Sequence, residues 1–188
     1  MKLQIIIGST RPNRFSEKPA QWIFEVAKKR EEFDVELIDL RDYPLNFFDE
    51  PMSPSRLNEN YSTPIAKKWV KKVSLADAYI IVSPEYNLGY PAVLKNALDY
   101  PYHEWGKKPV GFISYGSVGG ARAIEQLRLV AVELQMTPIR SSIPIPMQVT
   151  MAAKKGEDPH PFEPLTDRAN SFLDELTWWA ATLKKARG

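Results

Sequence analysis

Hydroxyl and guanidinium side chains crowd one short stretch of this 188-residue sequence, Gly8-Ser9-Thr10-Arg11-Pro12-Asn13-Arg14-Phe15-Ser16, with no acid before Glu17. It follows the apolar run Leu3 to Ile7 and precedes a helical pattern, so hydroxyl donors, cationic forks and the free N–H groups of a helix start would meet in one place. Such a set suits an anion, a phosphate above all, because Arg11 or Arg14 can offer it two parallel charge-assisted bonds. The stretch is not a Walker loop, since no Gly-Lys-Ser/Thr follows, and it is not GxGxxG. A phosphate held without that machinery points to a bound nucleotide or cofactor more than to NTP hydrolysis.

Two further stretches carry unusual chemistry at the ends of apolar runs. In Ser83-Pro84-Glu85-Tyr86-Asn87, the proline restricts Ser83 to extended geometry and holds Glu85, Tyr86 and Asn87 together, where main-chain groups can bond a flat heterocycle. In Ser114-Tyr115-Gly116-Ser117-Val118-Gly119-Gly120, three glycines within five residues allow the backbone to approach a ligand closely. Each stretch taken alone also reads as an ordinary strand-to-helix turn, with Ser16 a simple helix cap. Their coincidence favours a ligand: one end for phosphate and two for a planar ring describe a mononucleotide cofactor.

The elements that must position these stretches are legible as alternating strand and helix patterns, the signature of βαβ units around a parallel sheet. Strands are expected at Leu3 to Ile7, Val35 to Leu40, Ala78 to Ser83 and Val110 to Ser114, with a weaker fifth near Thr137 to Ser141, where Pro138 removes a ladder donor. The uninterrupted apolar third strand belongs mid-sheet, and the alternating second at an edge or exposed face. Helical spacing marks Ser16 to Arg30, the region of Ile65, Trp69 and Val73, Ala92 to Leu98 behind Pro91, Ile124 to Leu134, and Ala169 to Leu183. Residues 41–60 read as a long surface connection, and Ala153 to Pro164 as a proline-rich loop. The expected fold is a three-layer α/β/α sandwich on a five-stranded parallel sheet, forming one domain over residues 1–188.

Composition narrows the function classes. With 25 basic against 23 acidic residues and no basic block, a net charge of +2 gives no reason to expect nucleic acid. The absence of cysteine removes disulfides, thiolate nucleophiles and Cys-ligated metals. His103 and His160 stand apart without acids at ligand spacing, so no metal site is expected. Apolar runs are strand-sized and the start leads straight into a polar turn, so no membrane association and a cytoplasmic location are expected.

Through Gly8-Ser9-Thr10-Arg11, "PEYNLGYPAVLKNALDY" at Pro84 to Tyr100 and "YGSVGG" at Tyr115 to Gly120, the chain resembles the NAD(P)H-dependent FMN reductase family of flavodoxin-like proteins over residues 2–140. The resemblance implies FMN as cofactor, with Ser9, Arg11 and Ser16 on its phosphate and the Glu17 backbone assisting. Pro84, Glu85, Tyr86 and Asn87 would border the ribityl chain and ring, and Tyr115, Gly116, Gly119 and Gly120 the ring's other side. Four residues, Pro12-Asn13-Arg14-Phe15, separate Arg11 from Ser16, more than in many members, so either Ser16 or Arg14 completes the phosphate grip.

The resemblance further implies hydride transfer from NADPH or NADH to the flavin, then from the same open face to a small-molecule acceptor such as free flavin, a quinone, an azo compound or an oxidised metal ion. The cofactor carries that chemistry, so no catalytic side chain is expected. A homodimer or homotetramer is implied, with Asp99, Glu104 and Trp105 as a contact near the flavin. The rival readings are a flavodoxin-type FMN electron carrier without NAD(P)H turnover and a nucleotide-binding module without redox chemistry. Trp69, Trp178 and Trp179 are expected in a core or an oligomer contact.

Overall fold

The computed structural model describes residues 1–57, 60–156 and 158–188. Residues 58 and 59 of the long connection, and residue 157 of the proline-rich loop, lie outside the described residues. The strands are β1 (Lys2–Ile7), β2 (Asp34–Asp39), β3 (Ala78–Pro84), β4 (Pro109–Tyr115) and β5 (Thr137–Ile145). The helices are α1 (Glu17–Ala27), α2 (Pro54–Leu57), α3 (Pro64–Ser74), α4 (Ala92–Asp99), α5 (Ala121–Glu133), α6 (Met147–Lys155) and α7 (Thr166–Arg187).

All pairings are parallel in the order β2-β1-β3-β4-β5. The order reverses between β1 and β3, and ligands of open α/β sheets bind beyond the carboxyl ends of strands at such a point. β3, buried along its whole length, lies at the centre, and β2, with only one fully buried residue, lies at an edge. Alternation along the strands feeds two cores. Leu3, Ile5, Ile80 and Val82 pack towards Ile23 of α1 and Phe172 of α7, while Ile6, Tyr79, Ile81 and Phe112 pack towards Trp69 of α3, Leu94 of α4 and Leu127 of α5.

The register aligns Pro84 with Tyr115 and Tyr115 with Ile145, so the turns after β3 and β4 start at one level. β5 runs four residues past its expected end at Ser141. Pro138 and Pro144 are tolerated because β5 is an edge strand, and a register irregularity between Val110 and Phe112 absorbs the mismatch. The sequence reading missed α6, whose first residues carry few charges and continue from an apolar strand; its last turn occupies Ala153 to Lys155, which were expected in a loop. α1 stops at Ala27, because Lys29 and Arg30 donate to carbonyls only three residues back and tighten its last turn.

One expectation for the tryptophans changes. Trp105 is fully buried, donates from Nε1 to Leu98 O at 3.1 Å and meets Tyr79 edge-on, so it packs within its own chain instead of marking a subunit contact. Trp178, 60% exposed on α7 and edge-on to Trp179, lies outside the core, which leaves it to the expected oligomer contact. Among the described residues, no helix is long and apolar enough to cross a membrane.

Candidate functional site

β1 ends at Ile7 because Gly8 leaves the ladder with one last bond, its N–H to Val82 O at 2.8 Å. The chain then turns through Ser9 to Phe15 into the N-terminus of α1. Ser9 is buried, and its Oγ lies 3.3 Å from the Tyr86 hydroxyl, joining the turn after β1 to the turn after β3. Arg11 is exposed and places its guanidinium over the same Tyr86 ring, 5.9 Å from the centroid. Phe15 turns inward and meets Tyr115 edge-on at 4.8 Å, which ties this turn to the end of β4.

Ser16 precedes α1 with helical dihedrals, so its hydroxyl does not cap the helix. Fully buried, that hydroxyl makes no hydrogen bond of standard geometry. Its nearest influence is on the Tyr115 phenol: burial pushes the Tyr115 pKa up to about 12, and the Ser16 hydroxyl and N–H offset this only in part. A buried hydroxyl left without a partner costs stability unless something else occupies it.

Arg14 behaves differently from its neighbour Arg11. Its side chain is almost wholly buried, and Nε, Nη1 and Nη2 all donate within the chain. Nε donates to Glu17 Oε1 at 3.1 Å, Nη1 to the Ser9 carbonyl and to Asp39 Oδ1, and Nη2 to Asp39 Oδ2 with Glu17 Oε1 3.0 Å away. Arg41 closes the cluster with bonds to Asp39 and Glu17. Burial would raise the Asp39 pKa, but the bonds from Arg14 and Arg41 outweigh it and hold the carboxyl well below its ordinary range. Arg14 therefore faces the end of β2, where Asp39 draws it, and directs four N–H bonds to Ser9, Glu17 and Asp39.

The turn after β3 is a two-residue hairpin. Tyr86 and Gly89 exchange N–H···O bonds of 2.8 and 2.9 Å, and Asn87 and Leu88 between them both have positive φ. That is the geometry of a type I′ turn, natural for asparagine and strained for leucine. Pro84 is buried, and the Glu85 N–H donates to Tyr115 O at 2.9 Å, extending the β3–β4 ladder by one bond. The Glu85 carboxylate points to α5, where it accepts from the Arg122 backbone N–H at 3.1 Å and from Arg122 Nε at 2.7 Å.

The turn after β4 presses against these groups. A Cβ on Gly116 would come within 2.9 Å of Glu85 Cβ, and one on Gly120, where φ is +77°, within 2.0 Å of Ser114 Oγ. Both positions therefore require glycine. The Gly119 N–H closes the turn on Gly116 O at 3.1 Å. The residues singled out in the three stretches thus converge at the switch point, linked by Ser9 to Tyr86, Phe15 to Tyr115 and Glu85 to Tyr115. Sequence reasoning missed Arg122, which stands two residues past the glycines and whose only signal is a lone basic residue at the start of a helix.

The sequence matches the family model described as NADPH-dependent FMN reductase over residues 1–150. An NAD(P)H-dependent FMN reductase of Schizosaccharomyces pombe is 40% identical over 147 residues, covering 77% of this chain and 74% of that protein. One of Saccharomyces cerevisiae is 34% identical over 148 residues, covering 74% and 78%. Among solved structures, a flavoenzyme NAD(P)H:(acceptor) oxidoreductase of Paracoccus denitrificans superimposes with a TM-score of 0.72 at 21% identity, covering 93% of this chain and 96% of that one, a likeness of fold. By sequence, and with the parallel sheet order that flavodoxin-like proteins share, this chain belongs to the NADPH-dependent FMN reductase family.

Proposed function

We propose that the three converging strand ends bind FMN and that the chain is an FMN-dependent oxidoreductase, taking hydride from NADPH or NADH and delivering electrons to a small-molecule acceptor. The observation that carries this reading is the buried Ser16 hydroxyl at the start of α1, which makes no hydrogen bond of standard geometry and has only the Tyr115 phenol acting on it, beside the turn that holds Ser9 and Arg11. A phosphate oxygen gives this hydroxyl an acceptor of standard geometry, and the positive end of α1 favours the charge. Ser9, Arg11, Ser16 and the Glu17 N–H hold the phosphate. Arg14 serves from behind, fixing the Ser9 carbonyl while Asp39 holds it.

Pro84, Glu85, Tyr86 and Asn87 border one side of the ring through the hairpin backbone, and Tyr115, Gly116, Gly119 and Gly120 the other. FMN, when bound, supplies the hydride-accepting and electron-donating chemistry, and the residues here bind it, orient it and exclude water from its inner face. No side chain is assigned a proton transfer. Free flavins, quinones, azo compounds and oxidised metal ions are the acceptor classes that suit a shared open face.

The functional unit is one FMN-binding domain over residues 1–188, located in the cytoplasm and assembled as a homodimer or homotetramer. Phe47, Leu129 and Val132, each more than 60% exposed, are apolar side chains that such an assembly would cover.

The test is spectroscopic. Protein reconstituted with FMN is titrated anaerobically with NADPH and then NADH while the visible flavin band is followed. Rapid bleaching by either nucleotide is expected. An unchanged yellow spectrum with both would favour the electron carrier, and a protein that stays colourless with excess FMN would favour a nucleotide-binding module without redox chemistry.

A further inference from the structure

Arg122 is the second residue of α5 and joins the two turns that border the proposed ring site. We propose that it is a positioning residue for FMN, setting the gap between the hairpin after β3 and the glycine turn after β4 through its bonds to Glu85 and Ser117. The inference rests on the FMN-binding reading above.

The helix start explains why the contact exists. Gly120 occupies the N-cap of α5 and has no side chain to receive the first N–H groups. Glu85 reaches across from the end of β3 and takes that place, with Oε2 accepting the Arg122 N–H at 3.1 Å. Its other oxygen, Oε1, accepts from Arg122 Nε at 2.7 Å and also from Nη2. Nη2 in turn donates to Ser117 Oγ at 3.2 Å, inside the glycine turn. One guanidinium thus braces both turns and the helix between them.

Exposure makes the pair asymmetric. The Glu85 side chain is 4% exposed and that of Arg122 is 44% exposed. Without Arg122, a carboxylate would remain buried beside Gly116 with its cationic partner gone, which costs far more than an exposed ion pair is worth. The stem of Glu85 also lies against Gly116, where an added Cβ would sit 2.9 Å from Glu85 Cβ. The spacing of the two turns is set at that contact, and errors near an ångström in such spacing are costly for transfer chemistry. Lysine is a poor substitute, because its point charge cannot reproduce a planar fork that bonds Glu85 twice and Ser117 once.

The experiment compares wild type, Arg122→Ala, Arg122→Lys, and Glu85→Gln combined with Arg122→Ala. Each is titrated with FMN as apoprotein, and the visible circular dichroism and midpoint potential of the bound flavin are recorded beside the thermal midpoint of the apoprotein. Arg122→Ala is expected to bind FMN roughly tenfold more weakly, the size of a lost charge-assisted bond. It should also change the visible dichroism and shift the potential negative, since an uncovered carboxylate opposes adding electrons nearby. Lysine should recover affinity in part without restoring the dichroism, and Glu85→Gln in the alanine background should return the potential towards wild type.

If Arg122→Ala does not fold, Ser117→Ala, which removes only the Nη2 bond at that turn, should alter the dichroism and weaken FMN roughly threefold. Wild-type affinity, dichroism and potential in the folded variants would overturn the proposal. So would losses that follow the apoprotein's thermal midpoint and are fully recovered by lysine, because the pair would then only stabilise α5. A wild-type chain that takes up no FMN would instead refute the functional reading, and the positioning role with it.

Discussion

Arg14 grips Asp39 with both ends of its guanidinium, Nη1 to Oδ1 at 2.8 Å and Nη2 to Oδ2 at 2.5 Å. A fork of this kind is among the stronger charge-assisted contacts, and here it is sheltered on the arginine side. The same guanidinium holds the Ser9 carbonyl, so the end of β2 fixes the shape of the turn after β1. Two arginines three residues apart therefore divide the work: Arg14 builds the turn and Arg11 is left exposed at its rim.

Replacing them should separate stability from binding. Arg14→Ala leaves Asp39 short of its main partner and is expected to cost the apoprotein about 3 kcal/mol, at the lower end for a broken buried pair. Arg11→Ala should change apoprotein stability by less than about 0.5 kcal/mol, as exposed substitutions do, yet weaken FMN. Urea unfolding of the apoproteins and FMN titration measure the two effects. Equal stability losses in both variants would contradict this division.

Ser16→Ala should show the opposite of ordinary cap removal. The Ser16 hydroxyl makes no cap bond and has no partner of standard geometry, so its loss should leave the apoprotein as stable as wild type or slightly more so. FMN affinity should nevertheless fall roughly tenfold, as for a bond to a charged phosphate. Calorimetry of apo and FMN-loaded forms would register this as a smaller upward shift on loading. A destabilised apoprotein with unchanged affinity would return Ser16 to a structural role.

Much of this architecture is visible in the chain itself. Unbroken apolar character placed β3 at the centre, and the strand ends that carry Ser9 and Glu85 flank the point where the sheet order reverses, with the end that carries Gly116 beside them. What periodicity misses depends on partners far apart in sequence. No local pattern distinguishes Arg14 from Arg11, because the difference is made by Asp39, twenty-five residues away. Arg122 was likewise silent, since its importance comes from Glu85, thirty-seven residues earlier. β5 was cut short and α6 lost where prolines and mixed apolar residues satisfy neither the strand nor the helix template.

A buried lysine should shape the alkaline stability profile. Lys108 donates from Nζ to Ser74 O at 3.0 Å and to the Tyr79 hydroxyl at 3.3 Å. Burial, helped by the charge of Arg187 and opposed by Asp77 and Glu104, pushes its pKa down to about 8. The unfolded chain, with an ordinary lysine value of about 10.4, binds more protons between those limits, so stability should rise with pH from about 8 upwards. Tyr79, raised by its own burial, opposes this only above about pH 10, where an unfolded tyrosine ionises. Unfolding from about pH 7 to about pH 9.5 should therefore show a rise in wild type that Lys108→Met lacks. Parallel profiles would mean that Lys108 titrates as a solvated amine.

Leu88 offers the sharpest test of strain at the site. It holds φ at +72° beside Asn87 at +48°, completing a type I′ turn in which glycine is the usual second residue. A leucine in that conformation costs about 1 kcal/mol, and no core packing offsets it, because the side chain is 54% exposed. Leu88→Gly should therefore leave stability unchanged or raise it by up to about 1 kcal/mol, with the greater freedom of glycine in the unfolded chain offsetting part of the gain. The leucine stands on the hairpin that borders the proposed ring site, its carbonyl accepting from Gln126 Nε2 at 3.0 Å. If the strain is kept for contact with a nicotinamide or an acceptor, the same variant should show a higher KM for that substrate with FMN affinity unchanged. A variant as active as wild type but more stable would mark Leu88 as strain without a use, and one that is less stable would mean that the exposed side chain makes contacts in the assembled protein.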